Sequence, residues 1–230
     1  MNGKLIVICG TDGSGKGTQT EILIKKLKDK GINVEMTDFP QYDKDSSFMI
    51  KEYLNGKFGS AKEVGPYKAS IFYAVDRYHA SFQMKKWLAE GKIIVSNRYV
   101  SANFGHQGGK IKDSEKRKNY IKWVQDLEYN IFQIPKPDLN IFLHVRPEIS
   151  QKLVDKKAER EYTKGKKRDI HEADLNHLKD SESAYLEVCN NDDSWIKIEC
   201  VKDNELLSIE SIANKIDSVV DEFLNKQKTI

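Results

Sequence analysis

The sequence is poor in cysteine and has no long apolar run. Its three cysteines, Cys9, Cys189 and Cys200, are scattered, and none stands in a Cys-x-x-Cys pair. This spacing argues against a zinc site and favours a reducing compartment. No apolar stretch approaches the roughly 20 residues that a membrane span needs, and no signal peptide precedes the first predicted strand. We therefore expect a cytoplasmic protein without a membrane partner.

The sequence also lacks a strong excess of charge of either sign. Its 38 lysines and arginines nearly balance 35 aspartates and glutamates, which leaves a formal net charge of +3. Such a small charge does not require a nucleic-acid partner, although it suits an anionic ligand. Internal repeats and low-complexity linkers are absent too, so we expect one domain over residues 1–230.

A glycine-rich loop follows the first predicted strand, the apolar run Leu5–Cys9. The loop consists of Gly10, Thr11, Asp12, Gly13, Ser14, Gly15, Lys16, Gly17 and Thr18. A strand, a glycine loop with a Gly-Lys pair and a helix form the context of a phosphate-binding loop. Glycines let backbone N–H groups surround an anion, and Lys16 supplies an ammonium for the β and γ oxygens. We therefore predict that these residues bind ATP.

Strands alternate with helices along the rest of the chain. Apolar segments predict further strands at residues 33–37, 93–95, 139–145 and 195–200. After the first helix, helical spacing predicts helices at about 46–54, 66–90, 114–132, 148–155, 170–188 and 208–224. This alternation is typical of an α/β protein with three α/β/α layers around a parallel sheet of about five strands.

The ends of two predicted strands carry residues that suit a second ligand. Phe39, Pro40 and Tyr42 follow the second strand, and Arg98 follows the third. Ligands of an open parallel sheet bind beyond the carboxyl ends of its strands. The aromatic residue and the proline offer an apolar wall, and a guanidinium suits a phosphate. Taken singly, each residue is better explained as structural; together, at one edge beside the phosphate loop, they predict a second anionic ligand that faces the triphosphate.

In this order, the motifs resemble those of thymidylate kinases, a family of nucleoside monophosphate kinases. The resemblance runs from about Lys4 to Glu199. Besides the phosphate loop, it rests on Phe-Pro-x-Tyr at 39–42, Phe-Tyr-Ala-Val-Asp-Arg at 72–77, Arg-Tyr-Val-Ser-Ala-Asn at 98–103, Pro-Lys-Pro-Asp-Leu at 135–139 and Arg-Asp-Ile-His-Glu at 168–172. It implies a P-loop NTPase fold with a small mobile lid, and transfer of the γ-phosphoryl group of ATP to dTMP.

The resemblance also assigns roles to residues that would bind dTMP. Arg98 and Tyr42 would hold its phosphate, and Asp12 would meet its 3′-hydroxyl or, through water, Mg²⁺. Tyr73 would stack on the pyrimidine, and Arg77, four residues later on the same helix face, would bind its carbonyl. The remaining contacts are expected from Phe39, Pro40, Asn103, His106 and Gln107.

Phosphoryl transfer needs positioning and charge neutralisation more than a covalent nucleophile. The resemblance therefore implies Mg²⁺ bound with ATP, catalytic roles for Lys16 and Arg98, and a further arginine from the phosphate loop or the lid. The loop position for that arginine is Gly13, so we expect it from the basic lid at residues 156–168. Arg168 is the first choice by motif match and Arg160 the second, although such a charge run is often only a solvated surface. A homodimer formed through helices is implied as well.

Three positions depart from the family's pattern. Asn97 stands in place of an aspartate near the metal, Gly17 in place of the hydroxyl residue after the lysine, and His106 in place of a tyrosine beneath the deoxyribose. The histidine leaves open a kinase for another pyrimidine monophosphate: dUMP, UMP or CMP. The first two changes leave open a nucleotide-binding homologue without catalysis. The retained cations, Lys16, Arg77, Arg98 and the lid arginines, argue against a homologue without catalysis, and the expected function is a dTMP kinase.

Overall fold

A computed structural model describes residues 3–155 and 175–226 of the chain. Its central sheet has five parallel strands in the order β2-β3-β1-β4-β5. The strands are β1 (Lys4–Cys9), β2 (Val34–Asp38), β3 (Ile93–Asn97), β4 (Leu139–His144) and β5 (Trp195–Glu199). The predicted parallel sheet of about five strands is thereby confirmed.

Helices cover both faces of this sheet. The α-helices in the described ranges are α1 (Lys16–Asp29), α2 (Phe48–Leu54), α3 (Ala61–Ala89), α4 (Ser114–Gln125), α5 (Pro147–Asp155), α6 (Leu175–Cys189) and α7 (Ile209–Lys226). Helices α1 and α7 pack on one face, and α3, α4 and α6 pack on the other. The three-layer α/β/α architecture is confirmed. Across these described segments, no helix combines the length and apolar character that crossing a bilayer requires.

The alternating side chains of β1 supply both halves of the core. Ile6 and Ile8 pack with Leu23 of α1, whereas Leu5 and Val7 pack on the α3 side of the sheet. These four side chains of β1 are completely buried. A central strand covered on both faces therefore reads as a continuous apolar run instead of an alternating one.

The long helix α3 begins earlier than its proline predicts. Ser60 accepts a hydrogen bond from the N–H of Glu63, and the Glu63 carboxylate accepts one from the N–H of Ser60, which forms a capping box. A first helical turn therefore precedes the predicted start of this helix at residue 66. Gly65, with φ of 74°, interrupts the helix before Pro66 starts its long segment.

Two further elements differ from the expectation. The predicted helix at 114–132 ends as α4 at Gln125 and continues as a π-helical turn over Asp126–Ile131. A short antiparallel hairpin, β6 (Val201–Lys202) with β7 (Glu205–Leu206), lies between β5 and α7 and was not predicted. Strands of two residues are too short for a hydrophobic period to reveal them.

Candidate active site

The phosphate loop, residues 10–18, connects β1 to α1. Gly15 directly precedes α1 and has a φ of 80°, a left-handed conformation that favours glycine. The Lys16 ammonium lies back over the loop, where Nζ donates to the Thr11 carbonyl at 2.7 Å and to the Ser14 hydroxyl at 3.4 Å. Together with the N-terminus of α1, this ammonium gives the loop the positive potential that a phosphate needs.

Gly13 is the point at which the phosphate loop packs against α5. Its φ is 82°, and a Cβ added there would collide with the backbone carbonyl oxygen of Ser150. Because that oxygen belongs to a helix, it cannot move aside as a flexible side chain could. A side chain at position 13 would displace the loop, which agrees with the expectation that a catalytic arginine comes from elsewhere.

Arg98 lies at the carboxyl end of β3 and is tied to the phosphate loop. Its φ is 64°, and its backbone N–H donates to the Ile8 carbonyl of β1 at 2.9 Å. The guanidinium forms an ion pair with the Asp12 carboxylate through Nη2, and Nη1 lies 3.1 Å from Nε2 of His106. The structure thus brings three of the predicted site residues into direct contact.

The charges of this cluster follow from burial and from Arg98. Burial alone would raise the pKa of Asp12, but the charges of Arg98 and Lys16 and the hydrogen bond from Arg98 hold it well below its ordinary value. Burial lowers the pKa of His106 well below its ordinary value; Asp12 acts in the opposite direction, whereas Arg98 and Lys16 lower it further. Asp12 is therefore a carboxylate, and His106 is a neutral imidazole that accepts a hydrogen bond from Arg98.

His106 belongs to a π-helical turn, Asn103–Gln107, which α6 covers. A Cβ on Gly105 would collide with the ring of Tyr185 in α6, so only glycine permits this approach. The imidazole of His106 stacks on His177 of α6 at a centroid distance of 5.7 Å. The buried π turn therefore fixes His106 beneath Arg98.

Tyr73 and Arg77 both line the site from α3, as their spacing of four predicts. Arg77 is completely enclosed: Nε and Nη2 donate to the two carboxylate oxygens of Glu128 at 2.6 and 2.7 Å. Burial alone would lower the pKa of Arg77, but Glu128 raises it, so the guanidinium stays charged. Sequence reasoning missed Glu128, because 51 positions separate it from Arg77 and no motif joins them.

Asn103 and Gln107 are buried at the ends of the π turn. Asn103 Nδ2 donates to Glu128 at 3.4 Å, so one carboxylate orients both Arg77 and Asn103. The Gln107 amide oxygen accepts from Lys110 Nζ at 2.6 Å. Both predicted residues therefore have defined orientations at the wall of the pocket.

Asp38 is a second residue that sequence reasoning did not assign. It ends β2 in register with Asn97 of β3, and Asn97 Nδ2 donates to Asp38 Oδ1 at 2.9 Å. The surrounding protein partly desolvates the carboxyl group and raises the pKa of Asp38, although Arg98, Asn97 and Lys16 act in the opposite direction. Its position directly after the predicted strand at 33–37, beside Phe39, was the signal in the sequence.

One pocket of about 520 Å³ joins these residues. Its lining includes most of the predicted site: Asp12, Gly13, Gly15, Lys16, Gly17, Thr18, Phe39, Pro40, Tyr42, Tyr73, Arg77, Arg98, Asn103, His106 and Gln107. Gly10, Thr11 and Ser14 shape the loop without lining the pocket. Residues that line it but were not predicted include Glu21, Asp38 and Asp76. Arg160, Arg168 and the lid at 156–168 lie outside the described residues.

Comparisons with known proteins point to one family. The thymidylate kinase family model matches residues 8–216. The thymidylate kinase of Caldicellulosiruptor saccharolyticus is 28% identical over 99% of this chain and 100% of its own length. That of Mycobacterium tuberculosis is 27% identical over 80% of this chain and 85% of its own. Among solved structures, the thymidylate kinase of Candida albicans matches 97% of this chain and 93% of its own with a TM-score of 0.74; at 22% identity, this likeness shows the shared fold.

Proposed function

This chain belongs to the thymidylate kinase family, and on that premise we propose which of its residues bind, orient and neutralise the reacting groups. The chain is a phosphotransferase that transfers the γ-phosphoryl group of ATP to dTMP to give dTDP. One observation carries the residue assignments: a single pocket joins the phosphate loop to the residues at the ends of β2 and β3. Adjoining donor and acceptor sites are what in-line transfer requires.

The phosphate loop, residues 10–18, binds the phosphates of ATP. Its backbone N–H groups and the N-terminus of α1 surround the anion, and Lys16 neutralises the developing charge on the transferred group. Arg98 holds the acceptor phosphate together with Tyr42. The ion pair with Asp12 and the contact with His106 support this assignment, because they hold the Arg98 side chain in place at the pocket wall. A preorganised guanidinium loses little entropy when it binds phosphate.

The nucleoside of dTMP lies against α3 and the π turn. Tyr73 stacks on the pyrimidine, and Arg77 and Asn103, both held by Glu128, bind its polar edge. Asp12 meets the 3′-hydroxyl. Phe39, Pro40, His106 and Gln107 complete this wall of the pocket.

We assign the second catalytic arginine to Arg168, with Arg160 as the alternative. The support is the Arg-Asp-Ile-His-Glu motif at 168–172 and the crowding at Gly13, which leaves no room for an arginine in the loop. Such a cation would neutralise charge on the transferring phosphoryl group.

Mg²⁺ is the cofactor that we propose to enter with ATP. The oxygen donors near the loop fit this hard cation: the carboxylates of Asp12 and Asp38, and the amide oxygen of Asn97, which is buried and has no hydrogen-bond partner among the described residues. Within those same residues, no three His, Cys, Asp or Glu side chains cluster to hold a metal by themselves, so ATP and water would supply most ligands. When bound, the ion would neutralise the phosphates and fix their geometry.

We also propose that the chain forms a homodimer through α3. Apolar side chains recur there at steps of four, four, three and four residues, which places them along one face of the helix. They are Tyr67, Ile71, Val75, Tyr78 and Phe82, each 40–56% exposed. A continuous apolar stripe of this kind is typical of a surface that another protein covers.

We further propose a cytoplasmic location. All three cysteines are free thiols, and Cys9 and Cys200 are buried in the core. Proteins that keep several unpaired cysteines suit a reducing compartment.

The reaction is tested with purified protein, ATP and Mg²⁺, and with dTMP, dUMP, UMP, CMP and AMP supplied separately. We expect ADP formation with the highest kcat/KM for dTMP, and we expect Lys16→Met to abolish it because the phosphate loop loses its cation. A preference for a ribonucleotide, or ATP binding without any turnover, would contradict the proposed function.

A further inference from the structure

The pocket that binds two polyanionic nucleotides carries carboxylates on its wall. They belong to Asp12, Glu21, Asp38 and Asp76. Asp12 is neutralised by Arg98, and Asp76 accepts hydrogen bonds from Gln41 and Ser46, so both have structural partners. A carboxylate without such partners repels phosphates unless a cation lies between them.

Asp38 and Asp76 are both held by uncharged donors, but Asp76 is buried and accepts three hydrogen bonds, whereas Asp38 is exposed and accepts one, so its carboxylate keeps open acceptor positions. Its side chain is bound by the uncharged amide of Asn97 at 2.9 Å, and among the residues that the structure describes it forms no ion pair. The in-register pairing of β2 with β3 fixes the two backbones side by side. Asp38 is therefore a positioned negative charge that stays open to the pocket.

Asp38 lines the same pocket as the cations of both phosphate sites, Lys16 of the phosphate loop and Arg98 of the acceptor site. Its partner Asn97 adjoins the first turn of α1, since a Cβ on Gly17 would lie 3.9 Å from Asn97 Nδ2. The transferred phosphoryl group moves from the phosphate loop, with Lys16, to the acceptor site, with Arg98. It must therefore pass, with its metal ion, through the part of the pocket between these two cations.

We propose that Asp38 is the carboxylate that this chain presents to the Mg²⁺ of bound ATP, and that Asn97 is the residue that positions it. Mg²⁺ would relieve the repulsion between Asp38 and the phosphates, and its retained waters suit carboxylate and amide oxygens as acceptors. The buried Oδ1 of Asn97 would accept from such a water. Gly17 has no hydroxyl group to offer the ion. Asp38, at the end of β2, would supply an oxygen in its place. This inference rests on the proposed use of Mg·ATP.

Glu21 is the competing carboxylate, because it also lines the pocket. It lies on α1, four residues after Gly17, and has no hydrogen bond within the described ranges that would orient it. A longer side chain without such a partner loses more rotamer freedom on binding an ion than Asp38 does. The roles of Asp38 and Glu21 are distinguished by substituting each residue alone.

The test measures ATP binding by calorimetry without dTMP, once with excess Mg²⁺ and once with EDTA. The ratio of the two dissociation constants gives the gain in affinity that the metal provides. We expect Asp38→Asn to lower this gain about tenfold, as loss of a group that supports a metal does. ATP affinity in EDTA should be unchanged or higher, because a repulsive charge is gone. Mn²⁺ in place of Mg²⁺, followed by electron paramagnetic resonance, should show correspondingly weaker binding of the ion to the enzyme–ATP complex.

Glu35→Gln is the matched control, since Glu35 is another carboxylate of β2 and pairs with Lys92 outside the pocket. It should leave the metal gain unchanged. Asp38→Glu should retain part of the gain, and Asn97→Ala should lose part of it because Asp38 loses its support. A gain within twofold of wild type in Asp38→Asn would overturn the assignment. The same holds if ATP affinity falls equally with and without metal, or if Glu21→Gln alone removes the gain.

The proposed reaction is checked separately by dTMP turnover of the wild-type enzyme. A wild-type protein that shows the metal gain but does not phosphorylate dTMP would overturn the proposed function and leave the Asp38 assignment supported. Loss of turnover in Asp38→Asn with an unchanged metal gain would overturn the Asp38 assignment alone.

Discussion

Arg77 faces the pocket as a buried cation, and its positive charge is compensated by the carboxylate of Glu128. Removing the partner of a buried ion pair leaves an uncompensated charge in the core. We expect Glu128→Gln to lower the free energy of unfolding by about 3–5 kcal/mol, measured by urea denaturation. KM for dTMP should rise as well, because Arg77 and Asn103 both lose the carboxylate that orients them.

A double variant separates the structural and binding effects of this pair. Arg77→Met with Glu128→Leu removes both charges and should recover much of the lost stability, since apolar replacements of buried pairs are often well tolerated. It should not recover dTMP affinity. Glu115→Gln, in an exposed pair with Lys118, serves as the control and should change stability little. Wild-type stability in Glu128→Gln would contradict the importance of the pair.

At the scale of single residues, the sequence predicts best what is local. Tyr73 and Arg77 could be placed on one face because a helix repeats every 3.6 residues, and Arg98 because it follows an apolar strand. Glu128 could not be assigned, since its partner lies 51 positions away; Asp38 could have been noticed at the end of its strand, but its pairing with Asn97, 59 positions away, could not be predicted. Such pairs are set by the packing of α3 on the π turn at 126–131 and by the strand order, which no short motif encodes.

Among the larger elements, the phosphate loop is constrained on two sides. Gly13 and Gly15 share nearly the same φ, 82° and 80°, but only a Cβ at Gly13 would meet another element. We expect Gly15→Ala to cost about 1–2 kcal/mol of stability, the strain of a left-handed alanine. Gly13→Ala should cost more, because the loop must also move away from the Ser150 carbonyl. Urea denaturation measures both costs.

ATP affinity gives a second measure of the same comparison. Displacement of the loop from α5 should weaken ATP binding more in Gly13→Ala than in Gly15→Ala, as measured by calorimetry. Equal losses in the two variants would show that backbone strain alone matters and that contact with α5 does not shape the loop.

Long helices and strands were predictable, because their side chains repeat a pattern over many residues. Elements of one turn or two residues were missed. The five strands of the sheet and the helices on both its faces follow from apolar runs and amphipathic spacing. The capping box at Ser60 and Glu63 was not predicted, because the glycines on either side, Gly59 and Gly65, are typical of a loop. The π-helical turns at 103–107 and 126–131 differ from an α-helix by one residue in hydrogen-bond spacing, which leaves no distinct periodic signal.

For the whole molecule, α3 connects the pocket with the proposed dimer interface. Val75 and Tyr78 belong to the exposed stripe, whereas Arg77 between them is buried and lines the pocket. In the proposed dimer, one helix would present its outer face to the partner and its inner face to dTMP. Covering the outer face would restrict the helix and thereby the position of Arg77.

We therefore expect Val75→Lys to affect both assembly and acceptor binding. A lysine in the apolar stripe cannot be buried against a partner without a large desolvation cost, so the mass measured by light scattering should fall to that of one chain. KM for dTMP should rise because α3 loses its restraint, while KM for ATP, bound by the phosphate loop, should change little. Ile209→Lys is the matched control: Ile209 is 57% exposed on α7, which packs on the opposite face of the sheet. A wild-type protein that is already monomeric at micromolar concentration, or a Val75→Lys protein that stays dimeric, would show that the stripe on α3 is not the interface.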